Sequence, residues 1–183
     1  MLTAEWFNPA KLSLDNKADH QHLDAQKQWS AVKQFYRQHL NYSKPNLNDK
    51  IALIRNETSP LAVSPNITRG IERKTEIERK TEIAAAIRIK TIGKCHLVTG
   101  LVVSQHFRGS GLAHQLMDFI KPSLSTLPSY VFGIPQLKSF YQSHGFTLNQ
   151  SIDHDIQQQF LKYQHKDKIK GEDRPLILMK LTA

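Results

Sequence analysis

The chain has 183 residues, 39% of them hydrophobic and 22% charged, a balance that suits one folded domain over residues 1–183 and excludes wholesale disorder. No apolar run approaches the roughly 18 residues of a membrane helix, no leader-like apolar stretch is seen near Met1, and the lone Cys95 excludes an intrachain disulfide, so a cytoplasmic protein is expected. The net charge of +9 is compatible with nucleic acid, an acidic membrane surface or a small polyanion, but basic and acidic residues are mixed, as at Glu72, Arg73 and Lys74, which disfavours a nucleic-acid groove.

Asp24 is a good N-cap, and Trp29, Val32, Phe35, Tyr36 and Leu40 recur at helical spacing behind it, so a helix of about 16 residues is expected there. His20 and His22 form a His-x-His pair with no third ligand near, and no metal site is expected. Turn-forming residues at 43–48 end the helix. Ile51, Ala52, Leu53 and Ile54 then read as a short buried strand, and residues 60–70 as loop. An exact repeat follows: Ile71, Glu72, Arg73, Lys74, Thr75 and Glu76 recur as Ile77, Glu78, Arg79, Lys80, Thr81 and Glu82. An insertion of this length keeps a strand's alternation in phase, whereas it rotates a helix face by about 240°. The repeat therefore reads as a lengthened strand end or hairpin arm, or as a solvated loop.

Residues 83–89 are apolar except for Arg88. After a turn at Thr91, Ile92, Gly93 and Lys94, residues 95–103 are largely apolar again, and the two runs pair as an antiparallel hairpin. Cys95 reads as a small buried hydrophobe within it. Leu112, Leu116, Phe119 and Ile120 mark an amphipathic helix that stops before Pro122. Residues 130–132 form a short strand, and Pro135 opens a helix in which Leu137, Phe140 and Tyr141 share a face. Residues 146–148 return as strand. Asp153, His154 and Asp155 look like the N-cap of a helix carrying Ile156, Phe160 and Tyr163, and Pro175 introduces a final strand over 176–181. This alternation is that of an α/β fold with a mixed sheet flanked by helices.

The strongest chemical signal is the turn Arg108, Gly109, Ser110, Gly111, Leu112 and Ala113, which follows a strand and opens a helix. Backbone N–H groups at a helix N-terminus are unpaired and face the positive end of its dipole, and two glycines let a phosphate approach them. Arg108 adds a fixed positive charge. A Walker loop is excluded because no Gly-Lys-Ser/Thr follows, and a dinucleotide loop is excluded because His114 stands where glycine is needed. From this segment alone, a glycine-rich connection before an ordinary helix stays open.

Arg108-x-x-Gly111-x-Ala113 resembles the pyrophosphate signature of the GNAT superfamily of N-acetyltransferases, and Tyr141-x-x-x-Gly145-Phe146 resembles the family's second signature. The two together, in this order, make the resemblance specific; it covers residues 51–181 loosely, with the coenzyme-binding core at about 83–146. It implies the acyl-CoA N-acyltransferase fold, with a mostly antiparallel twisted sheet, and acetyl-CoA as donor to a primary amine of a small molecule or peptide. It further implies that backbone groups of Leu101, Val102 and Val103 line the pantetheine arm and receive the acetyl carbonyl. The N–H groups of residues 108–113 would hold the pyrophosphate, and Tyr141 would protonate the departing thiolate. Tyr141 also shares its helix face with apolar residues, so a plain core role stays open.

Two departures from the family pattern stand out. Ile134 and Leu137 occupy positions where many members carry Asn and Ala. The strand 95–104 has no carboxylate where some members keep a general base; His96 is the one titratable nitrogen there and a weak candidate, a surface place in the hairpin being the stronger reading. Two alternatives remain at this level: a tRNA- or ribosome-associated acetyltransferase using the basic surface, and a CoA-binding protein without turnover. Neither the acceptor nor the choice between monomer and homodimer is legible.

Overall fold

The hairpin expected around Gly93 is the centre of the sheet. The computed structural model describes residues 2–7, 20–40, 44–57, 81–148, 151–169 and 175–182, without the side chains of 20–24, 57, 81 and 166–169. Strand β3 (Thr81–Ile92) turns at Gly93 and Lys94 into β4 (Cys95–Val103), and Gly93, at φ +56, supplies the backbone conformation that this turn needs. On the outer side of β3 lies β2 (Lys50–Glu57), and beyond it β1 (Ala4–Phe7), both antiparallel. After β4 the chain crosses over through helix α2 (Leu112–Leu124) and returns as β5 (Ser129–Gly133), parallel to β4. That connection needs a crossover because parallel neighbours cannot be joined by a tight turn. Helix α3 (Lys138–Ser143), β6 (Phe146–Thr147), α4 (His154–Ile169) and β7 (Ile177–Leu181) complete the described chain. The seven strands run β1-β2-β3-β4-β5-β7-β6, and every neighbour pair except β4–β5 is antiparallel.

Alternation along the strands divides the core between two faces. Ala52, Ile54, Ala85, Ile87, Ile89 and Val98 meet Leu112, Leu116, Met117, Ile120 and Leu124 of α2, with Tyr141 of α3 in the same cluster. On the opposite face, Val32, Phe35 and Tyr36 of helix α1 (His20–His39) cover Ile51, Leu53, Ala86 and Val102. Farther along that face, Ile156 of α4 covers Cys95, Leu97, Tyr130 and Leu178. Among the described residues no helix is long and apolar enough to cross a membrane.

Several sequence expectations are corrected. Helix α1 begins at His20, ahead of Asp24, so Asp24 is not its N-cap. Helix α2 runs through Pro122 to Leu124; the proline removes a single N–H near the helix end, Leu124 is buried there, and the Pro122 carbonyl accepts from Ser125 Oγ at 2.8 Å. Leu137 does not share the buried face of Tyr141. It ends a 3-10 turn, Pro135–Leu137, closed by its N–H on the Ile134 carbonyl, and the tighter winding leaves it 40% exposed. Leu148 is exposed beyond the end of β6. Asp153 does cap α4, its Oδ1 accepting from the Asp155 N–H at 3.0 Å. Thr81 and Glu82 open β3, while the rest of the repeat, the loop at 60–70, the turn residue Ser43 and the side chains of His20 and His22 lie outside the described residues.

Candidate functional site

Strands β4 and β5 part company. They are paired only at His96–Ser129, Leu97–Tyr130 and Val98–Val131. Beyond that point β4 stays with β3 as far as Val103–Ala85, and β5 stays with β7 as far as Gly133–Ile177. Among the described residues, 99–103 therefore have no strand across from them on the β5 side, which leaves room there for an extended ligand; of their carbonyls, that of Gly100 accepts from the Tyr36 hydroxyl at 3.0 Å and that of Val103 from Arg108 Nε at 3.4 Å. A bulge lies at the same place: two residues, Gly100 and Leu101, stand opposite the single Ile87. Below it Val98 faces α2; above it Leu101 and Val103 face α2 and Val102 faces α1.

The open edge leads into the glycine-rich turn. Ser104 is held by its N–H on the Ala84 carbonyl at 2.8 Å, a 3-10 turn over Gln105–Phe107 follows, and Gly111 is the N-cap of α2. Gly109 and Gly111 sit at φ +80 and +81, and a Cβ on either would meet nothing within 4 Å. Backbone geometry, not crowding, requires these glycines, and the space above the turn is open. The Arg108 N–H is engaged by the Gln105 carbonyl at 3.4 Å, but among the described residues no protein oxygen takes the N–H groups of Gly109, Ser110, Gly111, Leu112 or Ala113. Five bare donors at a helix N-terminus, beside the exposed Arg108, form a cradle that fits a diphosphate.

Tyr141 stands at the mouth of the parting. Its ring lies over Gly133, the last residue of β5; a Cβ there would fall 2.8 Å from Tyr141 Cε2. Phe140 and Phe146 pack edge-on against it, and the residue is 5% exposed. Beside it, on the flank of α2, His114 Nδ1 and His144 Nε2 are 2.9 Å apart, and His144 Nδ1 lies 3.2 Å from Asp118 Oδ1. Burial lowers the His144 pKa from the usual histidine value, against the opposing pull of Asp118.

His96 is not brought to this site. It is 4% exposed rather than on the hairpin surface, its Nδ1 has no partner among the described residues, and burial, helped by Lys50, lowers its pKa. Four residues along β4 separate it from Gly100, about 13 Å at strand rise. Cys95 is buried, and burial raises its thiol pKa. Ile134 and Leu137 are both exposed near the mouth. Sequence reasoning missed Gly133, Gly100 and the residues that pack on Gly100. A glycine inside an apolar strand, and Arg88 as the one charge within the apolar run 83–89 of its partner, were the available signals.

The family model for the GNAT acetyltransferase domain matches residues 58–166, more than half of the chain. The chain belongs to the GNAT acetyltransferases. This agrees with the mixed, mostly antiparallel sheet and its helices. Among solved structures, an acyl-CoA N-acyltransferase from Pseudomonas aeruginosa superposes with a TM-score of 0.57 at 14% identity, covering 100% of both chains. ElaA of Escherichia coli gives 0.51 at 17% identity, again over 100% of both chains. The ribosomal-protein-S18-alanine N-acetyltransferase of Escherichia coli gives 0.51 at 12% identity over 99% of this chain and 93% of its own. At these identities the likeness is one of fold. No curated protein sequence matches the chain.

Proposed function

We propose that this GNAT acetyltransferase transfers an acetyl group from acetyl-CoA to a primary amine of a small molecule, peptide or protein, by direct attack. The observation that carries the reading is the set of five unengaged N–H groups from Gly109 to Ala113, continuous with the open edge of β4. In this reading the turn holds the pyrophosphate, with the Arg108 guanidinium contributing charge. The backbone of Leu101, Val102 and Val103 lines the pantetheine arm and receives the acetyl carbonyl. An unprotonated amine attacks that carbonyl, a backbone N–H stabilises the developing oxyanion, and the leaving sulfur needs a proton. Tyr141, with a buried body at the mouth of the parting, is assigned that proton transfer. Ile134 and Leu137 give the mouth an apolar rim in place of side-chain polar contacts.

Thiol release from acetyl-CoA, measured with a panel of primary amines on wild type and Tyr141→Phe, tests the proposal. The wild type is expected to turn over at least one amine, with the variant at least tenfold slower. A wild type that binds acetyl-CoA but releases no thiol with any amine overturns acetyl transfer. An equally fast variant overturns the role of Tyr141 alone.

A further inference from the structure

Gly100 is the most constrained point of β4. Its φ is +63, and a Cβ there would lie 2.7 Å from Arg88 Nε and 3.1 Å from the Tyr36 ring. Its carbonyl accepts a hydrogen bond from the Tyr36 hydroxyl at 3.0 Å. Tyr36 belongs to α1 and is fully buried in the cluster on that face, so the Gly100 carbonyl is turned out of the sheet toward α1. A trans peptide holds its C=O and N–H on opposite sides. The Leu101 N–H, in the same peptide group, therefore points away from α1, toward the face that carries α2 and Tyr141.

Tyr36 is itself held in place. The Arg88 guanidinium lies 4.9 Å from its ring centroid and donates to Asp49 Oδ2 at 2.8 Å and to the Lys44 carbonyl at 2.7 Å. Burial pushes the phenol pKa above its ordinary value, against the pull of Arg88, so the hydroxyl stays a donor throughout the neutral range.

We propose that Tyr36 is a positioning residue for acetyl transfer: by donating to the Gly100 carbonyl it aims the Leu101 N–H at the acetyl carbonyl and makes it the oxyanion donor. A hydrogen bond accepted by a peptide carbonyl also polarises the peptide, which strengthens its N–H as a donor. Arg88 acts through Tyr36, and the two side chains together fill the space that any residue larger than glycine would need at position 100; Asp49 acts by holding Arg88. The inference rests on the acetyl-CoA reading above, since it names which amide of that site meets the developing charge.

Tyr36→Phe removes the one hydroxyl and keeps the ring that Arg88 packs on. Three readouts separate the possibilities, with thermal unfolding as a check on folding. In the ligand-free protein, amide exchange over residues 99–103 is expected to rise about tenfold with the rest of the sheet unchanged. Affinity for free CoA, by calorimetry, is expected to stay within threefold. In turnover, kcat is expected to fall at least tenfold, with KM for acetyl-CoA within threefold. Unchanged exchange over 99–103, kcat within twofold of wild type, or an equal loss in CoA affinity and kcat would each overturn the proposal. A wild type that binds CoA but acetylates no amine fails the acetyl-transfer reading instead, and the exchange arm then decides the role of Tyr36 on its own.

Discussion

The Arg88 guanidinium donates to the Asp49 carboxylate at 2.8 Å, and the two side chains are only 1% and 7% exposed. A buried charge is tolerated when its partner is present and is costly when the partner is removed. Asp49 also accepts from the Asn46 N–H at 3.1 Å, which ties the approach to β2 to the centre of the sheet. Asp49→Ala is therefore expected to lower stability by about 3–5 kcal/mol, the usual cost of stranding a buried charge. Replacing both partners, as Asp49→Leu with Arg88→Met, should recover more than half of that loss. Urea unfolding of the wild type and the two variants checks this; a double variant as unstable as Asp49→Ala would mean that the pair's worth is not electrostatic.

Gly111 has φ +81 and open space where a side chain would go. Gly111→Glu would put a carboxylate over the bare N–H groups that are assigned to the pyrophosphate. Calorimetry with CoA should show at least a hundredfold loss of affinity, on the order of 2.7 kcal/mol. Gly111→Ala shares the backbone strain, roughly 1–2 kcal/mol, without the charge, and should lose less than tenfold. If Gly111→Glu binds within threefold of wild type, the phosphates lie elsewhere.

What could be read in advance follows from how local each cause is. Gly93 at the hairpin and Gly109 and Gly111 at the turn are demanded by the backbone at their own positions, so the hairpin, the helix start and the glycine turn before it were legible. Strand β1 was not, because four residues of mixed polarity become a strand only by pairing with β2. The bulge at Gly100 escaped for a similar reason. It depends on Arg88 from the neighbouring strand and Tyr36 from a distant helix. His96 and Leu137 were misplaced because burial turns on which face a strand presents and on whether a turn winds as 3-10 or α, neither of which the residue type states.

Gly133 and Tyr141 offer a test of position as distinct from chemistry. Because a Cβ at Gly133 would fall 2.8 Å from Tyr141 Cε2, Gly133→Ala must move the ring. It is expected to lower kcat at least tenfold on its own. In a Tyr141→Phe background the same change should cost less than threefold, because the hydroxyl to which the proton transfer is assigned is already gone. Steady-state kinetics on the four proteins of the cycle measure this. Equal losses in both backgrounds would mean that Gly133 acts on the rate by some route other than the Tyr141 hydroxyl.

His96 and His144 are expected to contribute to the acid limb of stability. Burial lowers both pKa values below the unfolded value of 6.5, reinforced by Lys50 at His96 and opposed by Asp118 at His144. A histidine with a depressed folded pKa takes up its proton more readily in the unfolded chain. Its contribution is then full above about pH 6.5 and drains away as pH falls through the folded pKa. The midpoint of thermal unfolding should thus be flat from about pH 8 to 7 and fall steadily from about pH 6.5 to 5, before the carboxylates begin to titrate. The double variant His96→Gln, His144→Gln should lose less than half as much over the same interval, whatever its midpoint at pH 8. A wild-type midpoint that rises on acidification would reverse the sign of the argument, since it would require these imidazoles to hold their protons better folded than unfolded.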